Sequence, residues 1–210
     1  HRDLHLSIRR QRQMCIRDST LGGARGYAIV AVDTATRKVY GRTMNTKTAD
    51  DIVDTVRDML DDVTVPGADP PSLSPEVPTQ LDMDFERGWT NNPDFDDLLH
   101  ELGIVQRFKT DKYAPNNLAE IDNKIGWIKN YLRQRLTEEG QDGDDWEQYF
   151  DEALDASNGR VHKIALFGKA PDDLYDNIVQ PQDEDAEEAF YMIDKKQAER
   201  QFLNNERTCL

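Results

Sequence analysis

The chain has 210 residues, with 26 Lys and Arg against 41 Asp and Glu, a net charge of −15 and a mean hydropathy of −0.80. That length holds one ordinary domain with an appendage, and the charge excludes a strongly basic nucleic-acid binder without excluding a local basic face. Two cysteines, Cys15 and Cys209, exclude a cystine-stapled secreted scaffold, and no apolar run reaches the roughly 18 residues of a membrane helix.

Residues 1–19 (HRDLHLSIRRQRQMCIRDS) carry five Arg against two Asp, a net of +3, whereas the other 191 carry 21 basic and 39 acidic residues, a net of −18. Written back into codons, HRDLH and RRQRQMCIRDS read in one frame as the constant parts of a sequencing-library adapter, with Leu6, Ser7 and Ile8 at its variable index. The segment is set apart as adapter-derived, and natural sequence is expected from near Thr20. The alternative is a basic arm gripping phosphate. Nothing in it has the apolar stretch of a secretory signal, so a secreted protein is not expected.

Tyr27–Val32 (YAIVAV) is a β-branched run between Gly26 and Asp33 and reads as a buried strand. Val39–Met44 returns with alternating character, which predicts a hairpin. Thr48 then caps a helix whose Ile52, Val56, Met59 and Leu60 share one face. Pro66–Pro78 holds five of the nine prolines and must be a loop. Thr79–Met83 reads as a strand, Phe95–Leu102 as a short helix stopped by Gly103, and Ile104–Phe108 as another strand. A long helix is predicted from about Asn117 to Glu138, then a second over Asp144–Ala156 with Trp146, Phe150 and Leu154 inward. Gln180–Ala189 is acidic, and Glu187–Phe202 is a candidate terminal helix. Strands alternating with helices in this order predict an α/β fold with a mixed sheet.

Chemistry is concentrated in two acidic clusters, Leu81–Asn92 (LDMDFERGWTNN) and Leu118–Lys124 (LAEIDNK), each at a predicted junction of strand or loop with helix. Carboxylates converging there would repel one another and raise each other's pKa values, a penalty that a divalent cation removes. Hard oxygen ligands suit magnesium or manganese, and two such ions serve phosphodiester chemistry. The Asp82/Asp84 pair alone also matches the nucleotide-sugar motif of glycosyltransferases, a three-residue pattern that an acidic chain makes readily by chance. Asp94, Asp96 and Asp97 read as first-turn acids favoured by the helix dipole. No Cys/His set has zinc spacing.

Residues 27–171 resemble the catalytic core of retroviral and retrotransposon integrases, in the ribonuclease H-like superfamily. YAIVAVDTATRKVYGR resembles the family's second and third strands, NTKTADDIVDTVRDML the helix after them, and QLDMDFERGWTNNPDFDDLLHELGIV the segment around the second catalytic aspartate. NNLAEIDNKIGWIKNYLRQRL resembles the helix that carries the third acid, and NGRVHKIALFGKAPDDL the closing segment. The resemblance implies a five-stranded mixed sheet flanked by helices, its first strand lost or replaced. It implies Asp84 as the second acid, Trp89 as the aromatic five residues on and Asn91 as the polar follower.

For the third acid, Glu120 has the common spacing from Asp84, while Asp122 places Lys129 seven residues on, where the family has a lysine. Side-chain register favours Asp122, with Glu120 kept as the alternative. Glu86 stands where the family has glycine. The first catalytic aspartate falls within the adapter-like segment, near Asp18, and the role is not carried over to it. Asp33 is a hairpin residue with a structural part.

The implied activity of the intact protein is metal-dependent 3′-end processing and strand transfer on DNA, with Asp84 and Asp122 holding two magnesium or manganese ions. Lys124, Lys129 and Arg133 are the candidate DNA-facing cations. Donor and target DNA and a homo-oligomer are the expected partners, with no membrane. Residues 20–175 form the expected core and 176–210 an acidic linker with a possible terminal helix. Another ribonuclease H-like nuclease, or a decayed, non-catalytic interaction module, are the alternatives.

Overall fold

The computed structural model describes residues 11–19, 26–61, 78–83, 89–90, 92–108, 119–141, 143–179, 188–189, 191–193 and 195–196. The chain divides into two compact units, one of residues 9–34 and 39–157, the other of residues 1–8, 35–38 and 158–210.

The first unit contains strands β1 (Gln11–Ser19), β2 (Gly26–Asp33), β3 (Val39–Met44), β4 (Gln80–Met83) and β5 (Val105–Phe108). Its helices are α1 (Ala49–Asp61), α2 (Pro93–Glu101), α3 (Ala119–Glu139), a 3₁₀ segment (Gly143–Tyr149) and α4 (Phe150–Asn158). The strands lie in the order β3-β2-β1-β4-β5. The β3-β2-β1 half is antiparallel and the β1-β4-β5 half is parallel, so the sheet is mixed.

Residues 11–19, set apart from the fold on sequence grounds, thus occupy the central strand position. The physical reason is that a ladder is made by backbone N–H and C=O groups. Without a strand between them, β2 and β4 would each bury an unpaired edge, and an extended segment of almost any composition satisfies both.

β2 is buried on both faces, which is why its sequence is a continuous apolar run rather than an alternating one. Ile29 and Ala31 join Ile52, Val56, Leu60, Leu81, Met83, Trp89, Phe95 and Leu99 on the side covered by α1 and α2. Ala28, Val30 and Val32 join Ile121, Ile125, Ile128, Leu132, Trp146 and Phe150 on the side covered by α3 and α4. Each fully buried large apolar side chain contributes about 1.5–3 kcal/mol relative to exposure.

Local signals set the helix ends. Thr48 Oγ1 accepts the Asp51 N–H at 3.3 Å and the Thr48 carbonyl accepts the Ile52 N–H at 3.1 Å, so α1 starts where its cap predicts. Asn92 Oδ1 accepts the Phe95 N–H at 3.3 Å to open α2. Gly103, at φ 67°, ends it in a conformation that glycine adopts without cost. The helix expected over Asp144–Ala156 is instead a 3₁₀ turn followed by α4. The tighter repeat sets Trp146 and Tyr149 along one edge, and Trp146 meets Phe150 edge to face at 5.8 Å.

In the second unit, α5 (Pro171–Val179) opens with proline in its first turn, and the Ala170 N–H donates to Asp173 Oδ2 at 3.1 Å. Leu166 and Leu174 are fully buried with Ala189 and Ile193. Lys38 Nζ lies 2.9 Å from Asp172 Oδ1 and 3.9 Å from the centroid of the Tyr175 ring. The described residues between 188 and 196 are helical.

Gly26 opens β2 directly against the indole of Trp146, and a methyl group there would stand 2.5 Å from its Cζ2. Gly26→Ala is expected to destabilise the first unit by about 1–3 kcal/mol, read as a lower urea midpoint at unchanged slope.

Candidate active site

β4 divides its side chains by alternation: Leu81 and Met83 point into the core, Gln80 and Asp82 to the opposite face. Asp82 accepts a hydrogen bond from Gln80 Nε2 at 2.7 Å, and its Oδ1 lies 3.6 Å from Arg107 Nε on β5. A carboxylate so engaged by a neighbouring amide and guanidinium differs from one of a metal-binding Asp-x-Asp pair, which argues against the nucleotide-sugar reading. Asp84 follows the last residue of β4 and, with Glu86 and Asn91, lies outside the described residues. Trp89 is fully buried, 6.0 Å from the Phe95 ring, so it anchors the turn after the acidic cluster to the core.

The β1–β4 register pairs Gln11, Arg12, Gln13 and Met14 with Gln80, Leu81, Asp82 and Met83. No carboxylate of β1 falls in that stretch. Asp18 pairs with Tyr27, four residues beyond Met14, or about 13 Å along the strand at a rise of about 3.3 Å per residue. Asp33 ends β2 and is buried, in keeping with a structural part.

The two candidates for the third acid both lie in the first turn of α3, about 200° apart at about 100° per residue. Their surroundings differ. Glu120 shares a stripe with Lys124, Trp127, Tyr131 and Arg135, and this stripe is turned to α4. Lys124 is buried and donates to Ser157 Oγ at 3.1 Å, the Tyr131 hydroxyl donates to Glu152 Oε1 at 2.7 Å, and Arg135 Nε lies 3.0 Å from the same oxygen. α4 in turn sits at the β3 edge, where the Phe150 ring covers Gly41 so closely that a methyl group would stand 2.9 Å from it.

α3 itself packs on β2 and β1. The opposite stripe, Asp122, Gly126, Lys129 and Arg133, therefore looks away from β3, toward β1 and β4. Asp122 and Arg133 are exposed on it and Lys129 is half-buried, while Glu120 on the other stripe is half-buried.

Lys124, read as a DNA-facing cation, is buried on the stripe that packs toward α4. Among the described residues no group of three or more His, Cys, Asp or Glu is placed to hold a metal ion, and no helix is long and apolar enough to cross a membrane. Sequence reading also passed over Arg107. The visible signal is the alternation of Val105-Gln106-Arg107-Phe108, which puts Arg107 opposite Asp82 across the β4–β5 ladder.

No protein-family model matches the sequence, and no curated protein matches it either. Solved structures do. The catalytic core domain of BIV integrase superposes with a TM-score of 0.61 at 16% identity, covering 83% of this chain and 99% of that one. The fold is that of a retroviral integrase catalytic core. The HTLV-2 integrase core, solved in complex with magnesium in a trimeric form, gives a TM-score of 0.61 at 14% identity over 79% of this chain and 95% of that one. A simian T-cell lymphotropic virus intasome, in complex with the PP2A regulatory subunit B56 gamma, gives 0.63 at 15% identity over 78% of this chain. The chain spans about half of that longer chain, 52% of it.

In this integrase-core fold the hold of α4 on α3 is electrostatic as well as apolar. The hydrogen bond to Glu152, then desolvation and the charge of Glu152, raise the pKa of Tyr131 above its ordinary value. A raised folded-state pKa stabilises while the phenol keeps its proton, so this contribution is complete below about pH 10 and is lost as pH climbs through the folded value. Urea midpoints at about pH 8 and above pH 10 are expected to fall further for the parent chain than for Tyr131→Phe.

Proposed function

We propose that this chain is the catalytic core of an integrase from a virus or mobile element, whose intact form processes 3′ DNA ends and joins them to target DNA. The observation that carries this reading is the junction of three elements. A strand runs into Asp84, the central strand of the same sheet lies beside it, and α3 turns an acidic first-turn residue, Asp122, toward that side. In the wider reading the sheet is the five-stranded one of the ribonuclease H-like superfamily.

Asp84 and Asp122 are the proposed ligands of magnesium or manganese, with Glu120 the alternative to Asp122. The donor set fits: it is carboxylate oxygen throughout, with no soft ligand, as hard divalent cations prefer. The magnesium in the HTLV-2 core supports the same choice. When bound, two such ions would activate the attacking oxygen and stabilise the leaving one.

The chain's own residues do the rest. Lys129 and Arg133, on the stripe that carries Asp122, would hold the phosphate backbone, a contact that positions DNA without reading its sequence. Lys124, the third candidate cation, is buried and donates to Ser157, so the reading rests on Lys129 and Arg133. In end processing a water oxygen bonds to phosphorus as the bond to the terminal nucleotides breaks. In joining, the freed 3′ hydroxyl attacks a target phosphodiester, so one ester replaces another. A homo-oligomer with both DNAs is the proposed working assembly.

One observation favours a second reading, a decayed module without catalysis. The β1 residues in register with β4 bring no carboxylate to the site, and Asp18 lies too far along the strand to replace one.

Metal titration followed by the quenching of tryptophan fluorescence separates the two. The integrase reading expects magnesium or manganese binding on the order of 1 mM, abolished by Asp84→Asn and by Asp122→Asn and kept by Glu120→Gln. Binding that survives Asp84→Asn would count against the site. Loss in Glu120→Gln alone would exchange the third acid.

A further inference from the structure

We infer that Arg107 on β5 is a phosphate-contacting residue of the DNA path beside the proposed site, held in place by Asp82. This rests on the reading above and adds to it a residue from a different strand.

The inference starts from an uncovered stretch of sheet. Leu81, Met83 and, in part, Phe108 face the apolar core under α2, so Gln80, Asp82, Val105 and Arg107 occupy the other face of β4 and β5. On that face α3 packs over β2 and β1. Val105 is 58% exposed and the Arg107 side chain 60% exposed, values that an occupied sheet face does not give. The open surface thus lies on β5, beside the half-buried Gln80 and Asp82 of the strand that leads into Asp84.

A guanidinium at this place has a specific chemistry. It stays charged, and its planar fork of donors matches two oxygens of a phosphate. Asp82 Oδ1 engages it at Nε, at 3.6 Å, and Gln80 Nε2 donates to the same oxygen at 2.7 Å. The two terminal nitrogens remain for an anion, and among the described residues none bonds them. In a chain of net charge −15 a cation on an open face beside a carboxylate site is also a local exception to the field that repels DNA. A lysine would supply the charge without the fork.

The test uses the full chain and a labelled DNA duplex, with affinity from fluorescence anisotropy between about 50 and about 200 mM salt. Arg107→Ala and Arg107→Gln are expected to weaken binding about fivefold on two unrelated duplex sequences alike. Each is expected to lower the slope of log affinity against log salt by about 0.9, the loss of one phosphate contact. Arg107→Lys keeps the slope and loses less affinity. Two neutral variants at an exposed position, each checked by circular dichroism, keep a folding defect from deciding the outcome. If Lys129→Ala lowers the slope and neither neutral Arg107 variant does, the assignment of Arg107 fails and the integrase reading stands. If the parent chain shows no salt-dependent DNA binding, both fall.

Discussion

The double backbone ladder of β1 is the constraint on which the rest depends. On one edge it pairs antiparallel with β2 and on the other parallel with β4. Among the strands it joins the hairpin half of the sheet to the half that carries β4 and β5. Through it the ladder sets β4 relative to α3, which packs on β2 and β1. The place of β4 beside β1 is thus set by hydrogen bonds that no side chain makes. That separation of scaffold from chemistry explains how a segment with the wrong residues for a metal site still holds the sheet together.

A second layer of control comes from α4. By claiming the Lys124, Tyr131 and Arg135 stripe of α3, it fixes the rotation of the long helix about its own axis. Two acids two residues apart then meet opposite fates, one beside a packed flank and the other on an open one. The ion pairs involved are exposed and individually modest. Their weight lies in acting with Ile121, Ile125, Ile128 and Leu132, which already press the helix onto the sheet.

Much of this was legible in the residues themselves. YAIVAV announced a buried strand, Thr48 a helix start and Gly103 a stop, because each of these signals is local. The apolar stripe of α3 was likewise readable from helical periodicity. Which flank of α3 would be covered was not, since that depends on where Phe150 and Ser157 arrive from a distant part of the chain. The burial of Lys124 against Ser157 was hidden for that reason, and so was the pairing of Arg107 with Asp82, neighbours only across a parallel ladder. The α5 start was visible in Ala170-Pro171-Asp172-Asp173 and was missed for lack of a long apolar repeat. The strand at residues 11–19 was unreadable in principle, for its place is decided by vacancy in the sheet rather than by its own composition.

The clasp of Lys38 by Asp172 and Tyr175 carries a kinetic corollary. Its two sides are separated by well over half of the chain, so the closing contact has a high loop-entropy cost and forms late. During synthesis the amino-terminal partner leaves the ribosome long before the carboxy-terminal one exists. The turn between β2 and β3 must therefore wait, with its lysine solvated, until the segment that carries Asp172 and Tyr175 has been made. Closure of the smaller unit is in this sense ordered by position along the chain and not by the speed of local folding.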